Sequence, residues 1–382
     1  MSELIEASTV IGHIYEASYK PEYWPIALEN IAQYTRSNSA ALLYKDNELE
    51  RANGTYAYNI SEKTLNKYNA QGIDPNFIIM SEHTQLGTAT AIDHIIPDRN
   101  KLESIYGEDF TKMIKSSDTY HIGGCILFMD EIRSAGIGLQ RTQAMGVWER
   151  SEIAKLNILV PHLQRAMNIQ REFVRLQTRE QALRRGLDKL LMGLILFDKE
   201  LQPIYINPVA KSILNYHPAI EMKNDKIYAC DHAHTANIHT ALISAISSKA
   251  DADPAESSTS LGLKHPDCAT TLPVIISSVK GILHGFETEG SHAHVVMCFS
   301  DPDRTHPIEA DKLADVFELT TAEAQVAISI ANGIKPKEIA NMNDVAISTI
   351  RSQLKAIYCK LGVSSQAELV KVLLTGPFGQ CL

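Results

Sequence analysis

Near the carboxyl end, Ser348, Thr349, Arg351, Ser352 and Lys355 lie close enough in sequence to work as one surface. On a helix running from Ile347 to Tyr358, Ser348, Arg351, Ser352 and Lys355 share one face, and Ile350, Leu354, Ile357 and Leu361 share the other. A short polar-cationic stripe of this kind fits the major groove of B-DNA, where Arg and Ser meet base edges and Lys meets phosphates. The other dense set of reactive side chains is Cys230-Asp231-His232-Ala233-His234, with His239 beyond it. The segment reads as the start of a helix, on which histidines two apart diverge, so shared ligation is disfavoured and no metal is expected. Cys125 and Cys298 each sit in an apolar strand and are expected in cores. The chain holds no nucleophile elbow, P-loop or HExxH. It also lacks the early acidic pair that a phospho-receiver needs for Mg²⁺. No catalytic residue and no cofactor are therefore expected. If a reaction were to be sought, His232 and His234 would be the place.

The elements around the stripe are specified locally. Thr320-Thr321-Ala322-Glu323 reads as a capping box, followed by Val326, Ile330 and Ala331 at helical spacing and by Gly333 as a stop. Pro336 suits the first position of a second helix, which runs to about Met342. Asn343-Asp344-Val345-Ala346 then turns the chain into the third helix, and the whole is a helix-turn-helix pattern.

Leu319-Thr320 with Glu323, Gly333, Lys337-Glu338-Ile339-Ala340, Thr349-Ile350-Arg351 and Lys360-Leu361-Gly362-Val363 resemble the LuxR/NarL-type DNA-binding domain. The resemblance covers about one sixth of the chain without insertion. It implies recognition-helix contacts by Arg351, Ser352 and Lys355, with Thr349, Lys337 and Lys360 at positions facing phosphate. It also implies that the last helix, Gln366 to Leu374, pairs two protomers. Four positions depart from the pattern: Ala322 replaces Arg, Asn343 a buried Leu, Ala346 a capping Ser and Gln353 a His. Loss of the cap costs on the order of 1 kcal/mol.

A length of 382 residues suggests two or three domains, and 45% hydrophobic content suits full cores. The net charge of −9 is unevenly distributed. From Val345 to Thr375, Arg351, Lys355, Lys360 and Lys371 against Glu368 give +3, so the acidic excess lies elsewhere. Six scattered cysteines without a CxxC pair point to a reducing compartment. The acidic amino terminus and the short longest apolar run, Leu190 to Phe197, point to a cytoplasmic protein with no membrane partner.

From Glu152 to Leu190 the spacing predicts one long helix. Leu156, Leu159, Leu163 and Ala166, then Ile169, Phe173, Leu176, Glu180, Leu183, Leu187 and Leu190, alternate steps of three and four. This seam either pairs in parallel with a second copy, the preferred reading, or packs on its own domain. Pro161 is expected to kink it or to start a new helix. After it come a strand at Met192 to Asp198, a strand at Pro203 to Asn207 and a helix from Pro208, an order that resembles the opening of a PAS domain. Late strands are expected at Thr271 to Val279 and Ala293 to Ser300, with a mobile loop from Ala250 to Ser260. The first 150 residues suggest helices at Ile11 to Ser18 and Trp24 to Tyr34. Strands are expected there at Ala40 to Tyr44, Ile122 to Met129 and Ala135 to Arg141, a pattern that resembles GAF and PAS sensors. Tyr68 with Gly72-Ile73-Asp74-Pro75 is only faintly similar to lactone-binding domains, whose upstream Trp is missing here, and an Asp-Pro turn explains it better.

The expected architecture is α+β. It comprises a GAF/PAS-like domain (1–150), a coiled-coil helix (151–190), a PAS-like domain (191–300), a linker (301–312) and an all-α four-helix helix-turn-helix domain (313–382). The expected function is a homodimeric, DNA-binding transcription regulator, its partners duplex DNA, a small ligand and RNA polymerase. The alternative is a sensor or adaptor acting through protein contact.

Overall fold

The computed structural model describes residues 2–65, 75–247, 258–279, 293–304 and 308–376. The chain divides into two units, Met1–Gln181 and Ala182–Leu382, and the division falls inside a single 39-residue helix. Among the described residues no helix is long and apolar enough to cross a membrane.

In the first unit α1 (Ser2–Tyr19) and α2 (Trp24–Tyr34) precede β1 (Ser39–Asp46) and β2 (Gly54–Tyr58). Next come α3 (Pro75–His83), β3 (Thr90–Ala91), α4 (Ile92–Ile95) and α5 (Arg99–Ser117), then β4 (His121–Met129), β5 (Arg133–Arg141) and α6 (Arg150–Asp188). The antiparallel sheet has the order β2-β1-β5-β4-β3. Alternation along β4 sends Cys125 and Leu127 into a core with α1, α2 and α6. Ile122 and Ile126 point the other way, into a second core with Ile79, Leu102 and Phe110. Both faces of β4 are thus buried, which matches its unbroken apolar run. Gly124 is obligatory, since a Cβ there would run into the Ile137 carbonyl oxygen of the paired strand. The sequence does not announce α5, because Gly107 at φ 75° interrupts its helical geometry and polar residues dilute its apolar positions. Tyr68 to Asp74 fall outside the described residues, and Pro75 opens α3.

The structure corrects the reading of α6. Leu156, Leu159, Leu163 and Ala166 are fully buried in the unit's own core, so the first four seam positions are not open to a second chain. Beyond them the seam emerges: Ile169 is 45% exposed, Phe173 40%, Leu176 61% and Leu183 64%. The same three-four spacing serves either neighbour, and the sheet claims only the first half. The helix also continues through Pro161, which therefore does not start a new one.

The change of environment is marked by two residues. Gln170 accepts from Trp24 Nε1 at 2.7 Å and donates to the Tyr56 hydroxyl at 3.0 Å. Arg171 Nε donates to Asp46 Oδ2 at 2.6 Å. Asp46 has no exposed side-chain surface, and it also accepts from the Tyr44 hydroxyl and from the amides of Glu48 and Leu49. Burial raises its carboxyl, but Arg171 and the other donors together hold it below the ordinary range.

The second unit begins with the end of α6 and continues with β6 (Gly193–Phe197), β7 (Pro203–Ile206) and α7 (Pro208–Tyr216). A hairpin of β8 (Ile220–Lys223) and β9 (Lys226–Ala229) leads to α8 (His232–Ser247), followed by β10 (Ser258–Leu263), β11 (Leu272–Ser278) and β12 (Val295–Phe299). The antiparallel order is β10-β11-β12-β6-β7. Counted along each unit's own five strands, both sheets run second, first, fifth, fourth, third. Asn207 explains the strand-Asn-helix opening. Its Oδ1 accepts from the Leu194 and Ala210 amides at 2.9 and 2.8 Å, and its Nδ2 donates to Met192 O at 2.8 Å. One buried side chain thereby caps α7 and pins it to β6.

Two further expectations change here. Ser258 to Ser260 belong to β10 rather than to a loop, and residues 250–257 lie outside the described residues. Cys298 is half-buried, paired in register with Leu194 and Ile275 on the side away from the core that holds Met297 and Phe299.

Helices α9 (Ala310–Phe317), α10 (Thr321–Ala331), α11 (Pro336–Met342), α12 (Ile347–Leu361) and α13 (Gln366–Thr375) complete the chain. Ile308 and Leu313 already join their core, so part of the expected 301–312 linker is packed structure. The described residues form a mixed α+β protein with two five-stranded antiparallel sheets, the β8-β9 hairpin and a helical carboxyl end.

Arg171→Ala should leave the buried Asp46 carboxylate short of its charged donor and cost about 3 kcal/mol in urea unfolding of the full chain. Because the folded carboxyl is depressed, its contribution is complete above the usual carboxylate range and is lost as pH falls through the lower folded value. Wild type should therefore lose more stability than Arg171→Ala on moving from neutral to acid pH.

Candidate nucleic-acid interface

The Thr320 hydroxyl accepts from the Glu323 amide at 3.2 Å, and the Glu323 carboxylate accepts from the Thr320 amide at 2.8 Å, so α10 opens on the capping box read from sequence. Helix α10 ends at Ala331, with Gly333 at φ 79°. Pro336 takes the first position of α11, whose Glu338 carboxylate accepts from the Lys335 amide at 3.2 Å. Asp344 adopts φ 51° in the turn, and Val345 donates to Ala340 O at 3.0 Å, which closes α11 against the start of α12. Gly362 at φ 69° ends α12, and the Val363 amide bonds back to Tyr358 O at 3.0 Å, a C-terminal cap that needs the left-handed residue.

Within α12, Ile350, Leu354 and Ile357 are buried in the helical core, and Leu361 packs against it from a half-buried position. Ser348, Thr349, Arg351, Ser352 and Lys355 are all exposed, as is Lys337 on α11. No ion pair engages Lys337, Arg351 or Lys355 among the described residues. Five of the seven expected contact residues thus lie on the exposed side of one helix, and Lys337 lies on the helix before it.

Lys360 is placed differently. Its Nζ donates to Glu323 Oε2 at 2.7 Å, and this ammonium, followed by the Thr320 amide, holds the Glu323 carboxyl below its ordinary value. Sequence reasoning found Glu323 as a capping residue but missed its pairing with Lys360, because the two stand thirty-seven positions apart with no shared period. The pair ties the start of α10 to the end of α12, so Lys360 has a structural partner before any phosphate arrives.

Ala346 occupies the N-cap of α12 in extended geometry, φ −69° and ψ 144°, with no side-chain cap. Asn343 is exposed, and around it Met342 (69%), Val345 (40%) and Ile347 (38%) expose apolar surface at the turn. In α13, Leu369 and Leu373 are buried, whereas Gln366, Ala367 and Lys371 are exposed. Of the histidines singled out earlier, His239 is occupied by its bond to Ile227 O at 2.9 Å, and His232 is exposed.

The model of bacterial regulatory proteins of the luxR family matches residues 318–373. Those residues are a luxR-family helix-turn-helix domain. A 79-residue stretch is 38% identical to the HTH-type transcriptional regulator MalT of Yersinia pestis (strain Pestoides F), covering 21% of this chain and 9% of that relative. MalT of Yersinia pseudotuberculosis serotype O:1b (strain IP 31758) matches at the same identity and coverage. The match therefore spans about a tenth of these relatives' length. Among solved structures, the VqsR LBD domain from Pseudomonas aeruginosa aligns over 44% of this chain and 96% of its own, at 17% identity and a TM-score of 0.33. Escherichia coli SdiA aligns over 94% and 91%, at 10% identity and a TM-score of 0.30. Overlays this loose carry no argument about fold or ligand.

Ala346→Ser supplies the missing hydroxyl to the first amides of α12 without touching its exposed face. It should stabilise the luxR-family domain by about 1 kcal/mol, read as a higher thermal midpoint. An unchanged or lower midpoint would mean that the cap geometry is wrong.

Proposed function

We propose that the chain is a sequence-specific, DNA-binding transcription regulator that works as a homodimer, controlled by a small ligand or partner sensed by PAS/GAF-like units. The observation that carries this reading is the unpaired cationic face of α12 in a luxR-family domain. A guanidinium and an ammonium with no ion pair among the described residues, on a helix whose opposite side packs into the core, are free to neutralise phosphates and meet base edges. Arg351, Ser348 and Ser352 address the bases, and Lys355, Thr349 and Lys337 the phosphates. Lys360 acts mainly by holding Glu323 and joins the phosphate set only at its exposed edge.

Dimerisation is assigned to the exposed half of α6, from Ile169 to Leu183, and to α13. The shared strand order of the two sheets supports two sensors built on one plan. Their site is the cytoplasm, and RNA polymerase is the partner a regulator of this kind addresses. A second reading, a docking module for another protein, draws on the exposed Met342, Val345 and Ile347 beside α12.

Arg351→Ala should flatten the preference among duplex sequences by about 1–3 kcal/mol at one base step. Lys337→Ala should weaken binding evenly and lower the slope of affinity against salt by about one. Fluorescence anisotropy with genomic fragments at two salt concentrations separates these effects. Wild-type binding by both variants leaves only the docking reading.

Leu176→Glu combined with Leu183→Glu should convert the dimer to monomer in sedimentation velocity, since both side chains are exposed and unit 1 keeps its core. An unchanged mass removes α6 as the pairing seam.

A further inference from the structure

Cys230, Asp231 and His234 meet where β9 ends and α8 begins. Cys230 follows the last strand residue, Asp231 precedes the first helical one, and a turn of helix brings His234 back to Asp231. Asp231 Oδ1 accepts from the His234 amide at 2.8 Å, and Oδ2 meets the His234 ring Nδ1. Cys230 Sγ lies 3.8 Å from that same Oδ2 and donates to Lys264 O at 3.1 Å. One sulfur, one carboxylate oxygen and one imidazole nitrogen therefore lie within 4.8 Å of one another.

Capping of α8 accounts for Asp231 Oδ1 and for the His234 amide. It does not account for an exposed thiol beside the second oxygen and the imidazole. The sequence argument against a metal rested on His232 and His234, which do diverge, but the structure pairs His234 with Cys230 and Asp231 instead. A cleft of about 370 Å³ opens beside the thiol and is lined by Cys230, Tyr216, His217, Glu221 and His265. Cys268 Sγ stands 3.8 Å from His217 Nε2 at the same end of the unit. Sulfur and nitrogen donors from three separate stretches of chain thus converge on one solvent-accessible recess.

We propose that Cys230, Asp231 and His234 bind a divalent transition metal of the zinc class, with the fourth position open to solvent. The donor set decides the class. Thiolate and imidazole favour Zn²⁺ or Co²⁺ over Mg²⁺ or Ca²⁺, which take oxygen. Tetrahedral Zn²⁺ sets its ligand atoms about 3.3–3.8 Å apart. Cys230 Sγ and Asp231 Oδ2, 3.8 Å apart, already stand at that spacing. The His234 amide already fixes the carboxylate, the role an outer hydrogen bond plays around a metal. On loading, the Cys230 thiol gives its proton to solvent and its bond to Lys264 O is lost, while the neutral His234 ring carries its proton on Nε2. The turn bearing His265 is thereby released from Cys230, which makes the metal an input to this unit.

The test is a titration of the full-length, reduced, metal-free protein with Co²⁺, followed by back-titration with Zn²⁺. Wild type should develop a thiolate-to-cobalt charge-transfer band and tetrahedral ligand-field bands at one Co²⁺ per chain, and Zn²⁺ should bleach both. Cys230→Ser should abolish the charge-transfer band. His234→Ala should weaken Co²⁺ binding by roughly tenfold or more, and Cys268→Ser should behave as wild type. All three changes leave the apolar cores untouched, and far-UV circular dichroism confirms the fold of each variant. Absence of a stoichiometric band in wild type overturns the proposal, as does a band that survives Cys230→Ser or disappears in Cys268→Ser.

Discussion

One helix must satisfy two different surroundings, and the rest of the molecule is arranged around that demand. The first half of α6 completes the core of the first unit, where Leu156, Leu159 and Leu163 have no exposed surface. Its end belongs to the second unit, where the Tyr205 hydroxyl donates to Asp188 Oδ1 at 2.6 Å. Between these anchors the helix carries apolar side chains into solvent. Gln170 and Arg171 mark the transition, and they do so with buried polar contacts, whose geometry tolerates less slippage than apolar packing alone.

The same economy governs the helical carboxyl end. Glu323 caps α10 and accepts the Lys360 ammonium, so a single carboxylate fixes both the start of one helix and the end of another. With Ile350, Leu354 and Ile357 buried, packing fixes which face of α12 is exposed. Its exposed face is consequently preformed, and ordering it on a ligand incurs little conformational entropy. Exposed charge near Arg351 and Lys355 is tolerable here because the acidic excess of the chain is distributed over other segments.

In the second unit the capping residue of α8 shares its carboxylate with a histidine and stands beside a thiol. Local capping and a ligand set are compatible because the carboxylate has two oxygens, and the cap uses only one for the backbone amide. Cys230 and Asp231 are exposed, which gives that set an access to solvent that a buried structural site would lack.

Elements with short-range rules were legible in the sequence. Trp24–Tyr34, Pro336–Met342, the Thr320 box, the Gly333 stop and the buried Ile350-Leu354-Ile357 stripe depend on residues three or four apart, where backbone hydrogen bonds and helical period decide the outcome. The exposed cationic face of α12 follows from that same period. Tertiary structure decided what period cannot: which half of the α6 seam meets the sheet, that Lys360 reaches Glu323, and that Cys298 faces away from its core. A three-four repeat states only that a face is apolar, and a lysine or cysteine states only its chemistry. The neighbour each one meets is fixed by packing between segments far apart in the chain, and no local spacing encodes that.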